Sequence, residues 1–248
     1  MSDTTIIYLT DNSLDVALEV ACQRLLLNAA QGRRIVSVSQ RPMGFGDNVC
    51  VGDIGRSGLS MDRQMMAGLV EAKARWVAIA EHDCVYSAEH FDWTPTNDEH
   101  FFYNDNCWLV QLKNEKHPDM DGLYSFIRGR RVQSQLICSR EALVEATQRK
   151  IDLLSSEAWQ TRHPVRPIGE PGSADYAKGR QLVNRPSMRH LWAQLKDYLT
   201  RYAAVDFSTT VPNIDIRHGH NFTGPRRGKN RTWDLEPWGK IGDVLCLP

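Results

Sequence analysis

The chain has 248 residues, 30 Lys plus Arg against 30 Asp plus Glu, and a formal net charge of zero. That length holds one large domain or two small ones, and the balanced charge excludes a global electrostatic drive towards nucleic acid or an anionic membrane. At 42% hydrophobic and 24% charged residues the composition is that of a soluble globular protein with a real core. No apolar run reaches membrane-spanning length, and the N-terminal Met1-Ser2-Asp3-Thr4-Thr5 has no signal-peptide pattern. Six cysteines without a Cys-x-x-Cys pair point to reduced thiols and a cytoplasmic setting.

Ile6-Ile7-Tyr8-Leu9 reads as a short strand ending in the turn and N-cap signal Thr10-Asp11-Asn12-Ser13. Apolar residues at helical spacing follow from Leu14 to Ala30 and stop at Gly32. The alternating, β-branched stretch from Arg34 to Gln40 is a second strand, completing a βαβ unit. Residues 41 to 59, with five glycines, form a loop whose spacing is neither a P-loop nor a dinucleotide fingerprint. Ser60 caps a helix running to Ala72, with Met65 and Met66 in the core.

Trp76 to Ala80 is a continuous apolar run ending in Glu81-His82-Asp83. Such a run is a buried central strand of a parallel sheet. Ligands of open α/β sheets bind beyond the carboxyl ends of such strands, where carboxylates hold a divalent cation against phosphate. The competing account is an acidic cluster that merely solvates a strand end. Alternation turns the side chain of His82 away from those of Glu81 and Asp83, as a residue that packs or that supports the ligands from behind. Cys84 reads as a buried small hydrophobe.

Further strands are expected at 101–103, 107–112, 135–138 and 211–218, with a helix from Ser139 and a charged excursion over the sheet at 113–134. Residues 162–186 form a long functional loop with a helical turn near 174–180, and Met188 to Tyr202 an amphipathic helix. The end of the chain is basic (Arg226, Arg227, Lys229, Arg231) and then aromatic (Trp233, Trp238).

This order resembles a GT-A-fold glycosyltransferase in the broad family-two sense, over roughly residues 5 to 225. The resemblance rests on the Thr-Asp-Asn strand end, the Gly-rich loop, the acidic triplet, a Ser-Arg-Glu helix start, an acidic loop and a strand ending in histidine. Ile216-Arg217-His218 is similar to the Ile-Arg-His of β-1,4-galactosyltransferases. It implies a mixed, mostly parallel central sheet flanked by helices, with a GT-A domain over 1–225 and a tail over 226–248 packing on or near the active site. Asp83 and His218 become metal ligands, joined by Asp215, for Mn²⁺ or Mg²⁺. Thr10, Asp11, Asn12, Arg41, Gln64 and Glu81 become donor contacts. The family's Glu-Asp pair is absent, and the base falls to Asp175 or Glu170 in Gly169-Glu170-Pro171-Gly172-Ser173-Ala174-Asp175-Tyr176.

The implied activity is metal-dependent transfer of a sugar from a nucleotide sugar, a UDP-sugar foremost, to an acceptor hydroxyl. The basic and aromatic tail is compatible with a hydroxymethylated base of phage DNA as acceptor, held through Arg226, Arg227, Lys229 and Arg231. Two other classes stay open: a metallohydrolase built on Glu81, Asp83, His218 and His220, and a non-catalytic nucleotide- or nucleic-acid-binding module.

Overall fold

The computed structural model describes residues 3–112, 118–156, 201–219, 221 and 228–246. The chain order is β1 (Thr4–Thr10), α1 (Val16–Ala30), β2 (Ile35–Ser39), β3 (Asp47–Cys50), α2 (Gly58–Glu71), β4 (Trp76–Glu81), β5 (Cys84–Val85), α3 (Ala88–Asp92), β6 (His100–Asn104) and β7 (Cys107–Gln111). It continues with β8 (Tyr124–Phe126), β9 (Leu136–Ser139), α4 (Arg140–Ser155), β10 (Ala203–Phe207), β11 (Asn213–Arg217), β12 (Asn230–Thr232) and α5 (Ile241–Leu245).

Seven strands form the central sheet in the order β10-β6-β9-β4-β1-β2-β3. All run parallel except β9, which is antiparallel to both β4 and β6. This is the expected mixed, mostly parallel sheet flanked by helices. A second, five-stranded sheet in the order β12-β8-β7-β11-β5 was not expected. It takes β7 and β11 out of the central sheet.

Alternation along β1 and β4 divides the core. Ile7, Leu9, Val77 and Ile79 pack against Met65 and Leu69 of α2 and Leu143 of α4. Ile6, Tyr8, Ala78 and Ala80 pack against Leu26 and Ala29 of α1 and Phe91 of α3. Leu14, just before α1, and Leu18 and Cys22 of α1's other stripe cover Ile214 and Ile216 of β11, together with Ile241 and Leu245 of α5. One helix thus serves both sheets. Residues 228–246 belong to this core, through β12 on the second sheet and Leu235, Ile241 and Leu245 within the cluster.

Several local readings are corrected. Helix α1 is capped by Asp15, whose carboxylate accepts from Ala17 N (3.1 Å) and Leu18 N (3.3 Å), so Thr10–Ser13 are free to shape a rim. Ser57, not Ser60, caps α2, accepting from Ser60 N at 3.0 Å. The glycine-rich loop contains β3, an exposed edge strand, and the charged excursion contains β8. Strands β10 and β12 were also unforeseen. All four are short, and Asp-Asn-Val-Cys or Asn-Arg-Thr carries no apolar pattern to announce a strand. The expected helix at 188–202 and turn at 174–180 lie outside the described residues, save 201 and 202.

Helix α2 is pressed close to the sheet. A Cβ on Gly68 would stand 2.6 Å from Ile7 Cγ2 and 3.0 Å from Val38 Cγ2, so this helix position has room only for glycine. A buried ion pair ties α2 to α4: Lys150 Nζ lies 2.6 Å from Asp62 Oδ1, with side-chain exposures of 2% and 0%. Replacing Lys150 with Met removes this buried partner of the Asp62 carboxylate and should destabilise the fold by about 3–5 kcal/mol. Denaturant unfolding of Lys150→Met measures this, and the double variant Asp62→Leu/Lys150→Met should recover most of the loss.

Candidate metal centre at the end of the central strand

Strand β4 leaves the central sheet at Glu81, paired with Leu9 of β1. This register sets Thr10 and Asp11 beside His82. The chain turns through His82 and Asp83 and immediately joins the second sheet, with β5 antiparallel to β11 and Cys84 opposite Asp215. Ile216 N donates to Asp83 O at 2.8 Å. That short junction carries His218, just past the end of β11, to Asp83. Their Oδ2 and Nε2 atoms lie 3.4 Å apart, and each side chain is 9% exposed.

Asn221 completes the turn. Its Nδ2 donates to Asp83 Oδ2 at 2.8 Å while its Oδ1 accepts from His218 N. Burial would push the Asp83 carboxyl up. The hydrogen bond from His218 and the charges of His82, His218 and Arg217 outweigh burial and hold it well below the usual carboxylate range. The group is therefore an anion at neutral pH.

His82 is a ligand candidate after all. The ligating atoms of His82, Asp83 and His218 lie within 4.8 Å of one another. Alternation fails here because the strand has ended and residue 82 sits in a turn. Thr10 Oγ1 and His82 Nδ1 share a hydrogen bond of 2.8 Å, which fixes the ring. A second group joins Glu81, Asp83 and Cys84 at the same spacing. Burial and the nearby acids Asp83 and Asp215 push the Cys84 thiol well up, so it is protonated and a poor ligand.

Two imidazoles and one carboxylate are a donor set for Mn²⁺ and its later neighbours rather than for Mg²⁺, which prefers oxygen. The residues present therefore fit a transition-metal ion. Asp215 is not among these groups. It is buried beneath Arg130, with which it forms a close ion pair, and Arg217 Nη2 lies 3.2 Å from its Oδ2.

The expected donor contacts sit together on the rim, where several have local duties. Asn12, at φ +56°, accepts Gln40 N and Arg41 N on one side-chain oxygen, both at 2.8 Å, tying the end of β1 to the end of β2. The Arg41 guanidinium donates to Asn12 O. Gln64 reaches from α2 and donates to Thr10 O at 2.8 Å. Asp11 accepts from Ser13 N at 3.0 Å and pairs with Arg56. Burial works against ionisation of Asp11, but Ser13, His82 and Arg56 together lower its carboxyl.

Arg56, Arg130, Arg217 and Asn221 were not anticipated at the site. Arg56 had a visible signal, a cation in a glycine-rich loop directly before a helix; the others depend on the second sheet. Asp175, Glu170, Arg226, Arg227 and His220 lie outside the described residues. Lys229 and Arg231 are exposed at β12, the far edge of the second sheet.

No family model matches the chain, and no curated protein matches it. Among solved structures, the chain is similar to a glycosyltransferase involved in glycosylation of the PBCV-1 major capsid, at 7% identity and a TM-score of 0.43, covering 86% of this chain and 92% of that one. S. aureus TarS 1-349 in complex with UDP-GlcNAc gives 9% identity and a TM-score of 0.42 over 88% of this chain and 59% of that one. The bifunctional IspDF of Campylobacter jejuni gives 12% identity and a TM-score of 0.39 over 61% of this chain and 44% of that one. The chain thus spans less than half of IspDF and under two thirds of TarS 1-349. Likeness at this level assigns no activity.

Asn221 touches both candidate ligands without itself being counted among them. Asn221→Ala should leave the fold intact and weaken Mn²⁺ binding roughly tenfold or more, since groups that orient metal ligands contribute on that scale. Titration of the variant with Mn²⁺ by calorimetry or electron paramagnetic resonance checks this.

Proposed function

We propose that the chain is a metal-dependent glycosyltransferase that moves a sugar from a nucleotide-sugar donor, a UDP-sugar foremost, to an acceptor hydroxyl. One observation carries the reading: Asp83 and His218, distant in sequence, meet at 3.4 Å beyond the carboxyl end of the central parallel strand. In this reading Asp83 and His218, with His82, hold Mn²⁺ (or Mg²⁺). When bound, the ion supplies a Lewis acid that neutralises charge on the departing diphosphate.

The chain's own groups do the rest. Thr10, Asp11 and Asn12, with Arg41, receive the nucleoside at the end of β1, and Gln64 holds that rim from below. Glu81 faces the ribose or the sugar. Asp215 serves Arg130 as counter-ion. Asp175 is our choice of base, removing the proton from the acceptor oxygen as it attacks the anomeric carbon, with Glu170 the alternative.

For the acceptor we propose a hydroxymethylated base of DNA. The exposure of Lys229 and Arg231, with Trp233 beside them at 52% exposure, supports this; Arg226 and Arg227 would extend the patch. Six free cysteines suit a cytoplasmic enzyme, and among the described residues no helix is long and apolar enough to cross a membrane.

The second imidazole also favours a metallohydrolase, which draws on the same three residues. Thermal scanning separates the readings. A transferase is stabilised by UDP and Mn²⁺ together, by about 2.7 kcal/mol at a hundredfold excess over Kd. A hydrolase gains nothing from UDP beyond its response to the metal, and a nucleic-acid-binding module responds to DNA alone.

In Asp83→Ala the joint stabilisation by UDP and Mn²⁺ should disappear while the fold persists. Full UDP–Mn²⁺ affinity in that variant would remove the assignment. Asp175→Asn should keep donor binding and lose roughly 10²- to 10⁴-fold in transfer rate. Should transfer survive there and fail in Glu170→Gln, the base is Glu170. Mass spectrometry of hydroxymethylated DNA after incubation with UDP-sugars reads the transfer directly.

A further inference from the structure

The hydroxyl of Thr10 stands where three groups meet, and its bonding decides which nitrogen of His82 can ligate. The register of β1 on β4 sets Thr10 beside His82. Helix α1, starting at Val16 behind its Asp15 cap, brings Glu19 to the same point from its first turn, where a helix N-terminus favours an anion. Thr10 Oγ1 accepts from Asn12 N at 2.9 Å, lies 2.8 Å from His82 Nδ1 and lies 3.4 Å from Glu19 Oε1. Thr10 is 2% exposed, so these groups rather than bulk water are its partners.

A hydroxyl has one hydrogen to donate and two lone pairs to fill. A backbone N–H only donates, so Asn12 occupies one lone pair. An ionised carboxylate only accepts, so Glu19 takes the hydrogen. The second lone pair remains for His82, and Nδ1 fills it only by carrying a hydrogen itself. The opposite arrangement has the hydroxyl donating to a bare Nδ1. It turns a lone pair of Oγ1 towards Glu19 and that of Nδ1 towards Asp11, whose Oδ1 lies 3.9 Å from Nδ1. Both contacts are then repulsive; with the hydrogen on Nδ1 both become attractive. A neutral imidazole with its hydrogen on Nδ1 keeps its lone pair on Nε2.

We infer that Glu19 and Thr10 form a relay that holds His82 as its Nδ1–H tautomer, so that Nε2 is the nitrogen offered to a metal ion. The arrangement is that of a carboxylate supporting a metal-ligating histidine, with a hydroxyl interposed. Neither residue reaches the metal; both are positioning residues that act through His82. The inference rests on the glycosyltransferase reading, in which His82 is a ligand. It makes α1 a contributor to the metal centre, and it gives the Thr10 hydroxyl a task separate from the nucleoside.

The test reads the tautomer and the metal affinity separately. Long-range ¹H–¹⁵N NMR of the metal-free chain, in mildly alkaline buffer where imidazoles are neutral, distinguishes Nδ1–H from Nε2–H; His82→Gln identifies the His82 signals. The wild type should show His82 as Nδ1–H, Thr10→Val should shift it towards Nε2–H, and Thr10→Ser should keep it as Nδ1–H. Mn²⁺ affinity, read by electron paramagnetic resonance, should fall roughly 10- to 100-fold in Thr10→Val and return in Thr10→Ser. Glu19→Ala, at a half-buried helix position, should move both readouts the same way by less. It carries the test if Thr10→Val does not fold.

A wild type that binds Mn²⁺ with His82 as Nε2–H in the metal-free state overturns the inference and leaves the metal centre standing. A tautomer unchanged in both Thr10→Val and Glu19→Ala also overturns it. In that case any loss of affinity marks Thr10 as a residue of the turn alone. A wild type that binds no Mn²⁺ removes the metal centre and the inference together.

Discussion

The candidate site depends on a two-residue strand. β5 is only Cys84–Val85, yet its antiparallel pairing with β11 is what joins the two sheets at the end of β4. Without it, the acidic turn and the histidine after β11 would belong to separate layers. The hydrogen bond from Ile216 N to Asp83 O fixes the register. A one-residue slip would exchange the faces of β11, sending Ile214 and Ile216 out of the apolar cluster they share with α1 and putting Asp215 and Arg217 into it. The hydrophobic pattern of β11 therefore enforces the placement of His218. Packing and chemistry are set by the same register.

That register also explains the division of labour among the charged residues of β11. Ile214 and Ile216 face α1, so Asn213, Asp215 and Arg217 share the opposite face, where all three are buried. Buried charges need partners, and Asp215 is held between Arg130 and Arg217. Its carboxylate is committed to two guanidinium groups. Arg217 is close enough to Asp83 to help hold that carboxyl down. The Asp-x-x-His spacing thus yields one ligand candidate and one counter-ion, because His218 lies beyond the strand and escapes its alternation.

What was legible in the sequence follows the strength of the local signal. Ile6–Leu9 and Trp76–Ala80 are long apolar runs, and their strands, the β-α-β unit and the mostly parallel sheet could be read from them. The pairing of Asp83 with His218 also came from the sequence, though through likeness of motif and not through any calculable geometry. The second sheet was invisible, since β5, β8 and β12 have two or three residues each and exist because a neighbour offers them a ladder. Asn221 and Arg130 take their positions from that sheet, so no spacing along the chain points to them. His82 comes within ligating distance of Asp83 and His218 for a simple reason: alternation holds only to the end of the strand, and residue 82 lies one past it.

The rim beneath the site is built to stay still. Gln64 reaches from α2 to the carbonyl of Thr10, and Asn12 binds two consecutive amides at the end of β2. Helix α2 itself is fixed from two directions, by the close approach of Gly68 to Ile7 and Val38 and by the buried Asp62–Lys150 pair to α4. Displacing α2 would therefore pull at Thr10, and with it at the hydrogen bond that orients His82. A ligand set drawn from a turn and a strand end needs such support, because neither element is rigid by itself.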